Sequence, residues 1–282
     1  MQPAPGFTDR PTAGRPQAGR SGQRLLAFAV RAWCVTALAG QFIFALYITI
    51  VYGGAVVSGD HARWNTIMRA AYVPGQTLGN AAIAAHVLLA VLIMVGGALQ
   101  LMPAVRRRVP ALHRWVGRGY MVSVLFTSVV GLYMVWIRKG GSGSMPQHIA
   151  ISLNAVILCT CAVMAWRAAR ARDFATHRQW ALRTFLAAGG VYFFRLGVFL
   201  WLAAWRRPVG FDAKTFSGPF LTTLAFAVYV VVPLSVLQLY FMAQRSRTDV
   251  VPRVTAVGFF ALTLLTAAGI ASATMIIWLP RM

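Results

Sequence analysis

The sequence predicts an all-α membrane protein, a polytopic bundle of about seven transmembrane helices. Two observations predict this fold class. Apolar residues make up 59% of the 282 residues, which is a higher fraction than soluble domains have. Several apolar runs also approach or exceed the roughly 20 residues that a helix needs to cross about 30 Å of hydrocarbon.

The apolar runs set the bounds of the predicted helices. Pro110 and Pro146 suit the first turn of a helix, where no intrahelical N–H partner is lost, and Asp173 suits the N-cap of the fifth helix. Pro233 predicts a kink in the sixth helix. The seven predicted helices run from Ala32 to Val57, Ala81 to Met102, Pro110 to Ile137, Pro146 to Trp166, Phe174 to Trp205, Phe220 to Gln244 and Val254 to Leu279.

The pattern predicts one transmembrane domain over residues 25–282, with a four-helix core over residues 81–205 formed by the second to fifth helices. Residues 1–24 are rich in Pro, Gly and Arg and contain no apolar stretch. They are therefore predicted to be a disordered basic tail rather than a cleavable signal peptide.

The basic residues predict the orientation in the membrane. The formal net charge is +22, but the basic residues fall in short connections rather than along one solvated face, which argues against a nucleic-acid partner. Sixteen lysines and arginines lie in the tail and the even-numbered connections, against eight in the odd-numbered connections and at the end of the chain. We therefore expect a bacterial inner-membrane protein with its N-terminus in the cytoplasm and its C-terminus in the periplasm.

Four histidines lie near the ends of the core helices. His86 in the second helix and His148 in the fourth are predicted at the outer side of the bilayer. His113 in the third helix and His177 in the fifth are predicted at the cytoplasmic side. The spacings are 62 and 64 residues within the two pairs, which suggests a duplicated hairpin that stacks the second helix with the fourth and the third with the fifth.

Paired histidines from facing helices suit the two axial positions of a haem iron, because neutral imidazoles add no charge to the membrane. The pattern predicts two b-type haems, with these four histidines as the iron ligands. Two alternatives stay open. The histidines could hold a single haem or another metal, or they could hold no cofactor and form hydrogen bonds at the membrane interface. His61, in an outer connection, has no matching partner and is predicted at the surface.

Five further residues are candidates for holding the cofactor. Arg195 lies 18 residues after His177, five whole helical turns, and is predicted to hold haem propionates near the outer layer. Arg118 and Arg183 lie near the inner layer but point away from the histidines. Gln100 and Tyr120 share helix faces with His86 and His113, so they are candidates to orient the ligands or a quinone.

Other chemistry is not indicated. Cys159 and Cys161 lie about 200° apart around a helix, so they do not clamp one metal together and are predicted to be apolar filler. The five acidic residues all fall in the tail or the connections, which argues against a carboxylate-based proton pump. The sequence contains no phosphate loop, dinucleotide fingerprint or nucleophile triad.

Two resemblances accompany these residues. The first resemblance rests on His86, the segment GGALQLMPAVRRRVPALHRWVGRGY at 96–120, and the later HRQWALR and FFRLG. Their signature, LHRxxGRxY followed by HRxW, resembles that of a bacterial family of predicted membrane proteins with a domain of unknown function. The histidine arrangement resembles the ascorbate-dependent transmembrane di-haem cytochromes b at His86, His148, His113 and His177. That second resemblance implies transmembrane electron transfer, although this chain has a seventh helix, closer spacing and no ascorbate motif.

The expected function is therefore transmembrane electron transfer through two haems, linked to a quinol or another small-molecule reductant. The alternative is a haem-free carrier or membrane scaffold in which arginines line an anion site. The expected partners in either case include the lipid bilayer.

Overall fold

The computed structural model describes residues 18–67, 70–138 and 143–282. In this part of the chain the regular structure is helical, and the β-type pairing is a single bridge between Asp212 and Ser217. The first helix already begins at Ala18. Residues 18–24 are therefore helical, which corrects the predicted end of the disordered tail, and the rest of that tail lies outside the described residues.

Six described helices are long and apolar enough to cross a membrane, and a bent pair of helices gives a seventh if the pair is counted as one span. This confirms the predicted polytopic helical bundle. The fifth helix differs from the prediction, because it breaks at Gly189 and bends by 44°. The spans are Ser21–Val57, Thr77–Leu101, Pro110–Trp136, Met145–Arg170, the pair Phe174–Ala188 and Gly190–Trp205, Pro219–Arg245 and Val250–Arg281.

Local chemistry fixes where two of these helices begin. The side chain of Gln147 accepts a hydrogen bond from the backbone N–H of Ser144 at 2.7 Å, at the start of the fourth helix. Asp173 caps the fifth helix as predicted, accepting from the backbone N–H of Thr176 at 3.0 Å. Hydrogen bonds from the side chain and backbone of Thr176 lower the pKa of the Asp173 carboxyl below its ordinary value.

The core helices pack in chain order. The second helix packs along the third, the third along the fourth, and the fourth along the first half of the fifth. A Cβ at Gly97 of the second helix would lie 3.1 Å from Phe185, so the fifth helix reaches back to the second. The second and fourth helices therefore lie across the bundle from each other, as do the third and fifth, which corrects the predicted stacking of these pairs. The first and seventh helices pack together outside this ring.

Three spans contain a π-helical segment, a wider turn that shifts the register of the helix. These segments are Thr49–Gly53 in the first helix, Ala227–Val231 in the sixth and Thr274–Trp278 in the seventh. The segment in the sixth helix ends two residues before Pro233. The irregularity predicted at this proline therefore takes the form of a π turn, which accommodates the missing N–H.

Candidate functional site

His86 lies beside the third helix, near the end of the bundle that is predicted to face outward. A Cβ at Gly131 of the third helix would lie 3.6 Å from the Cε1 atom of His86. Its Nδ1 atom is buried and has no hydrogen-bond partner. This nitrogen is therefore shielded from solvent and free to contact a bound group.

His148 approaches the same end of the third helix from the fourth. Its ring centroid lies 6.0 Å from the Trp136 ring, and the Trp136 indole donates to the Ser152 hydroxyl at 2.9 Å. The Nε2 atom of His148 is buried and has no partner. Trp136 lies five residues beyond Gly131, so along this helix His86 is about 7.5 Å deeper than His148. The two histidines lie at one end of the bundle, as predicted, with an offset of more than one turn.

His113 and His177 lie in the first turns of the third and fifth helices, at the opposite end of the bundle. The Nδ1 atom of His177 lies 3.0 Å from the carbonyl oxygen of Ala165. Because a carbonyl only accepts, Nδ1 carries a proton, which leaves Nε2 as the ring nitrogen that could bind a metal. The Nδ1 atom of His113 is buried without a partner.

Gln100 and Tyr120 face the core, as predicted. The Gln100 amide donates to the backbone carbonyl of His113 at 3.1 Å, which ties the second helix to the start of the third. Tyr120 is 6% exposed, packs against Gly96 and Gly97, and has a hydroxyl without a partner. Gln100 thus positions the backbone of a candidate ligand, whereas Tyr120 contributes to the packed middle of the core.

The three candidate arginines point to different surroundings. Arg118 is exposed, and its guanidinium lies 4.8 Å from the Trp115 ring centroid, so it faces away from the histidines. Arg183 lies 3.5 Å from the Gln238 side chain and 4.9 Å from the Trp180 ring centroid, towards the sixth helix.

Arg195 takes the most central position of the three. Its guanidinium lies 5.3 Å from the Phe44 ring centroid of the first helix. The 44° bend at Gly189 intervenes between it and His177. The predicted straight rise of five turns above His177 is therefore wrong, although Arg195 does lie in the half of the bundle that contains His86.

His61 lies apart from these residues in its connection. Its ring stacks on Tyr72 with centroids 5.4 Å apart, and its Nδ1 atom lies 3.1 Å from the carbonyl of Gly59. Cys34, Cys159 and Cys161 are free thiols. Within the described ranges, no cluster of three or more His, Cys, Asp or Glu side chains is arranged to hold a metal ion.

Asn154 is a buried polar residue that the sequence reasoning missed. Its amide donates to the carbonyls of Ala187 and Tyr229 at 3.3 and 2.9 Å. It thereby joins the fourth helix to the break in the fifth and to the π segment of the sixth. A lone asparagine in an apolar span is the signal that points to such a role, because an unpaired amide is costly in hydrocarbon.

Comparison with known proteins adds one finding. Residues 83–240 match the family described as "Predicted membrane protein (DUF2306)". The chain belongs to this family. The part of the chain that matches DUF2306 covers more than half of the sequence and contains all four candidate histidines and Arg195. No curated protein and no solved structure matches the chain. The DUF2306 description concerns membrane location, so the signature LHRxxGRxY and the cytochrome b resemblance stay predictions.

Proposed function

We propose that this chain transfers electrons across a bacterial inner membrane through two b-type haems. His86 and His148 would hold one haem and His113 and His177 the other. One observation carries the proposal. Three of these four histidines have a buried ring nitrogen without a partner, and the fourth is oriented by a backbone carbonyl that leaves its other nitrogen free.

The donor set fits haem chemistry. Two neutral imidazoles supply axial ligands without adding charge to a low-dielectric region. The second and fourth helices lie across the bundle from each other, and so do the third and fifth. The two histidines of each proposed haem therefore come from helices on opposite sides of the bundle. When bound, haem would supply a one-electron carrier on each side of the membrane.

Residues of the chain prepare these ligands. The Ala165 carbonyl fixes the tautomer of His177, and Gln100 binds the backbone of His113. The charge distribution supports an orientation with the His113 and His177 pair on the cytoplasmic side. A quinol or another small-molecule reductant is the proposed electron donor.

The test is the haem content of protein purified with haem supplied, measured as the pyridine haemochrome. His86→Ala and His113→Ala should each lower the haem content, because each removes an axial ligand from a different haem. The matched control is His61→Ala, which removes a histidine from an outer connection and should leave the content unchanged. Full haem occupancy in both core variants would refute the assignment.

A haem-free carrier of anions is the second candidate function. It is favoured by Arg195, a cation within a membrane span that has no ion-pair partner among the described residues. This function predicts a colourless protein even when haem is supplied. It also predicts that the core histidine variants leave anion binding unchanged.

A further inference from the structure

Arg195 lies in the second half of the fifth helix, within a membrane span and without a counter-ion. Among the described residues its guanidinium has neither a hydrogen bond nor an ion pair, and the Phe44 ring is its close neighbour at 5.3 Å. The sequence contains no glutamate. The aspartates in the described part lie at helix ends or in connections, at Asp60, Asp173, Asp212 and Asp249. An unpaired charge in a membrane is costly, so a bound anion would stabilise it.

The three π segments bring aromatic residues to the surroundings of Arg195. Tyr52 of the first helix lies in the buried cluster that contains Phe44, Tyr47 and Trp278. The Tyr229 ring of the sixth helix stacks on Phe194, the residue before Arg195, with centroids 5.4 Å apart. Trp278 of the seventh helix stacks on Phe44 with ring centroids 5.2 Å apart. Segments of this kind occur frequently at functional sites, because they re-aim side chains within a helix. Here the three segments belong to helices that pack against the half of the fifth helix that contains Arg195.

Two hydrogen-bond donors beside Phe44 have no partner. The Tyr47 side chain is 1% exposed and the Trp278 side chain 0%, and both the Tyr47 hydroxyl and the Trp278 indole N–H are buried and unpartnered. The Tyr47 ring stacks on Phe44 at 6.2 Å and on Trp278 at 6.3 Å. We refer to Arg195, Phe44, Tyr47, Tyr52, Tyr229 and Trp278 as the Arg195 site.

The chemistry of the Arg195 site selects its ligand. A guanidinium and an indole donate but do not accept, so the ligand must be rich in acceptors. A single arginine balances one negative charge, and its planar fork matches the two oxygens of a carboxylate. The five aromatic side chains of the site are buried, and such low-dielectric surroundings strengthen a charged hydrogen bond. A phosphate with a second charge would leave that charge unbalanced.

We infer that the Arg195 site binds a carboxylate within the half of the membrane that contains His86. Two sources supply this chemistry. One is a propionate of the haem held by His86 and His148, and this source rests on the proposed function. The other is the carboxylate of a free fatty acid from the bilayer, which requires no haem.

Two measurements on the purified chain in a neutral detergent separate these sources. The first is the haem content and the rate of haem loss after reconstitution with haem. The second is equilibrium binding of radiolabelled oleate to protein prepared without haem. The test variant is Arg195→Gln, which removes the charge and keeps a polar side chain. The control is Arg183→Gln on the first half of the same bent helix, where the guanidinium faces Gln238 and Trp180.

Arg195→Gln should weaken carboxylate binding by about tenfold or more, because it removes a charge-assisted hydrogen bond. Faster haem loss with no oleate binding would identify the propionate as the source. Oleate binding that is lost in Arg195→Gln would identify the fatty acid, and this result stands even if the histidine variants refute the haems. Arg195→Lys should recover part of the binding, and Arg183→Gln should match the wild-type chain.

Unchanged haem retention and unchanged oleate binding in a folded Arg195→Gln variant would overturn the inference. A wild-type chain that binds neither haem nor oleate would overturn it as well. If Arg195→Gln fails to fold, Tyr47→Phe provides the test, because it removes one donor and keeps the ring. That variant should weaken binding by a few-fold, and an unaltered affinity would overturn the inference.

Discussion

Single polar side chains within the spans hydrogen-bond to backbone carbonyls of neighbouring helices. Asn154 donates to one carbonyl at the break in the fifth helix and to another in the π segment of the sixth. The hydroxyl of Tyr192 donates to the carbonyl of Ala37 at 3.3 Å, which links the second half of the fifth helix to the first helix. In the bilayer interior, where water is absent, such bonds hold the helices together, and those of Asn154 also satisfy irregular backbone.

Asn154→Ala should lower the free energy of unfolding by about 1 to 3 kcal/mol, because it leaves two buried carbonyls without their donor. The measurement is the SDS-induced unfolding of the purified protein in micelles. Val156→Ala is the control, since Val156 is on the same helix and is 61% exposed. Equal effects of the two substitutions would contradict the role assigned to Asn154.

At the residue scale the sequence predicted part of the candidate site. The histidines lie at the two ends of the bundle as expected, because their depth follows from their position along each span. The side chains that surround each histidine could not be predicted in the same way, because they depend on how the helices pack. Arg195 faces Phe44 because the helix bends at Gly189, and hydropathy is insensitive to a bend of this kind.

At the element scale, glycines determine how closely the helices pack. A Cβ at Gly40 of the first helix would lie less than 3.0 Å from the Tyr192 hydroxyl and from the Ile270 side chain. A Cβ at Gly190 would lie 2.8 Å from the Tyr229 ring. Small residues at these crossings therefore let the fifth helix approach the first, sixth and seventh helices, as is common in membrane bundles.

Gly40→Ala should destabilise the protein by about 1 to 3 kcal/mol, because the added methyl group displaces Tyr192 or Ile270. Gly258→Ala in the seventh helix is the matched control. A Cβ there has nothing within 4 Å, so it should be neutral or stabilising by about 0.5 to 1 kcal/mol. The same unfolding assay compares both variants, and a stability of Gly40→Ala equal to that of Gly258→Ala would be inconsistent with close packing at Gly40.

The helix starts at Pro110 and Asp173 were predictable from sequence, because proline position and N-capping act locally. The π segments were not, with the partial exception of the one next to Pro233. They depend on tertiary packing and leave no mark in a hydropathy profile. The order of helix packing also differs from the prediction, since a spacing of 62 residues does not distinguish neighbouring from diagonal helices.

At the scale of the whole molecule, the bent fifth helix determines the topology. Counted as one span, it gives seven crossings, with the connections at Arg172 and Arg207 on opposite sides of the membrane. The asymmetry of the basic residues then predicts that Arg172 lies on the cytoplasmic side. This orientation also determines which haem would face the cytoplasm.

Fusions of alkaline phosphatase after Arg172 and after Arg207 test this topology in bacterial cells, because the enzyme is active outside the cytoplasm. The fusion after Arg207 should be active and the fusion after Arg172 inactive. Activity from both fusions would mean that the bent pair re-enters rather than crosses the membrane. Activity from the Arg172 fusion alone would reverse the proposed orientation.

The two proposed haems share one feature, a pair of histidine ligands from two helices. Near-infrared magnetic circular dichroism of the oxidised, haem-supplied protein measures this ligand set, because the charge-transfer band reports the axial ligands of a low-spin ferric haem. The proposed ligand set should give bis-imidazole bands from two haems in each chain. A colourless protein, or a spectrum of high-spin haem with a single axial ligand, would contradict it.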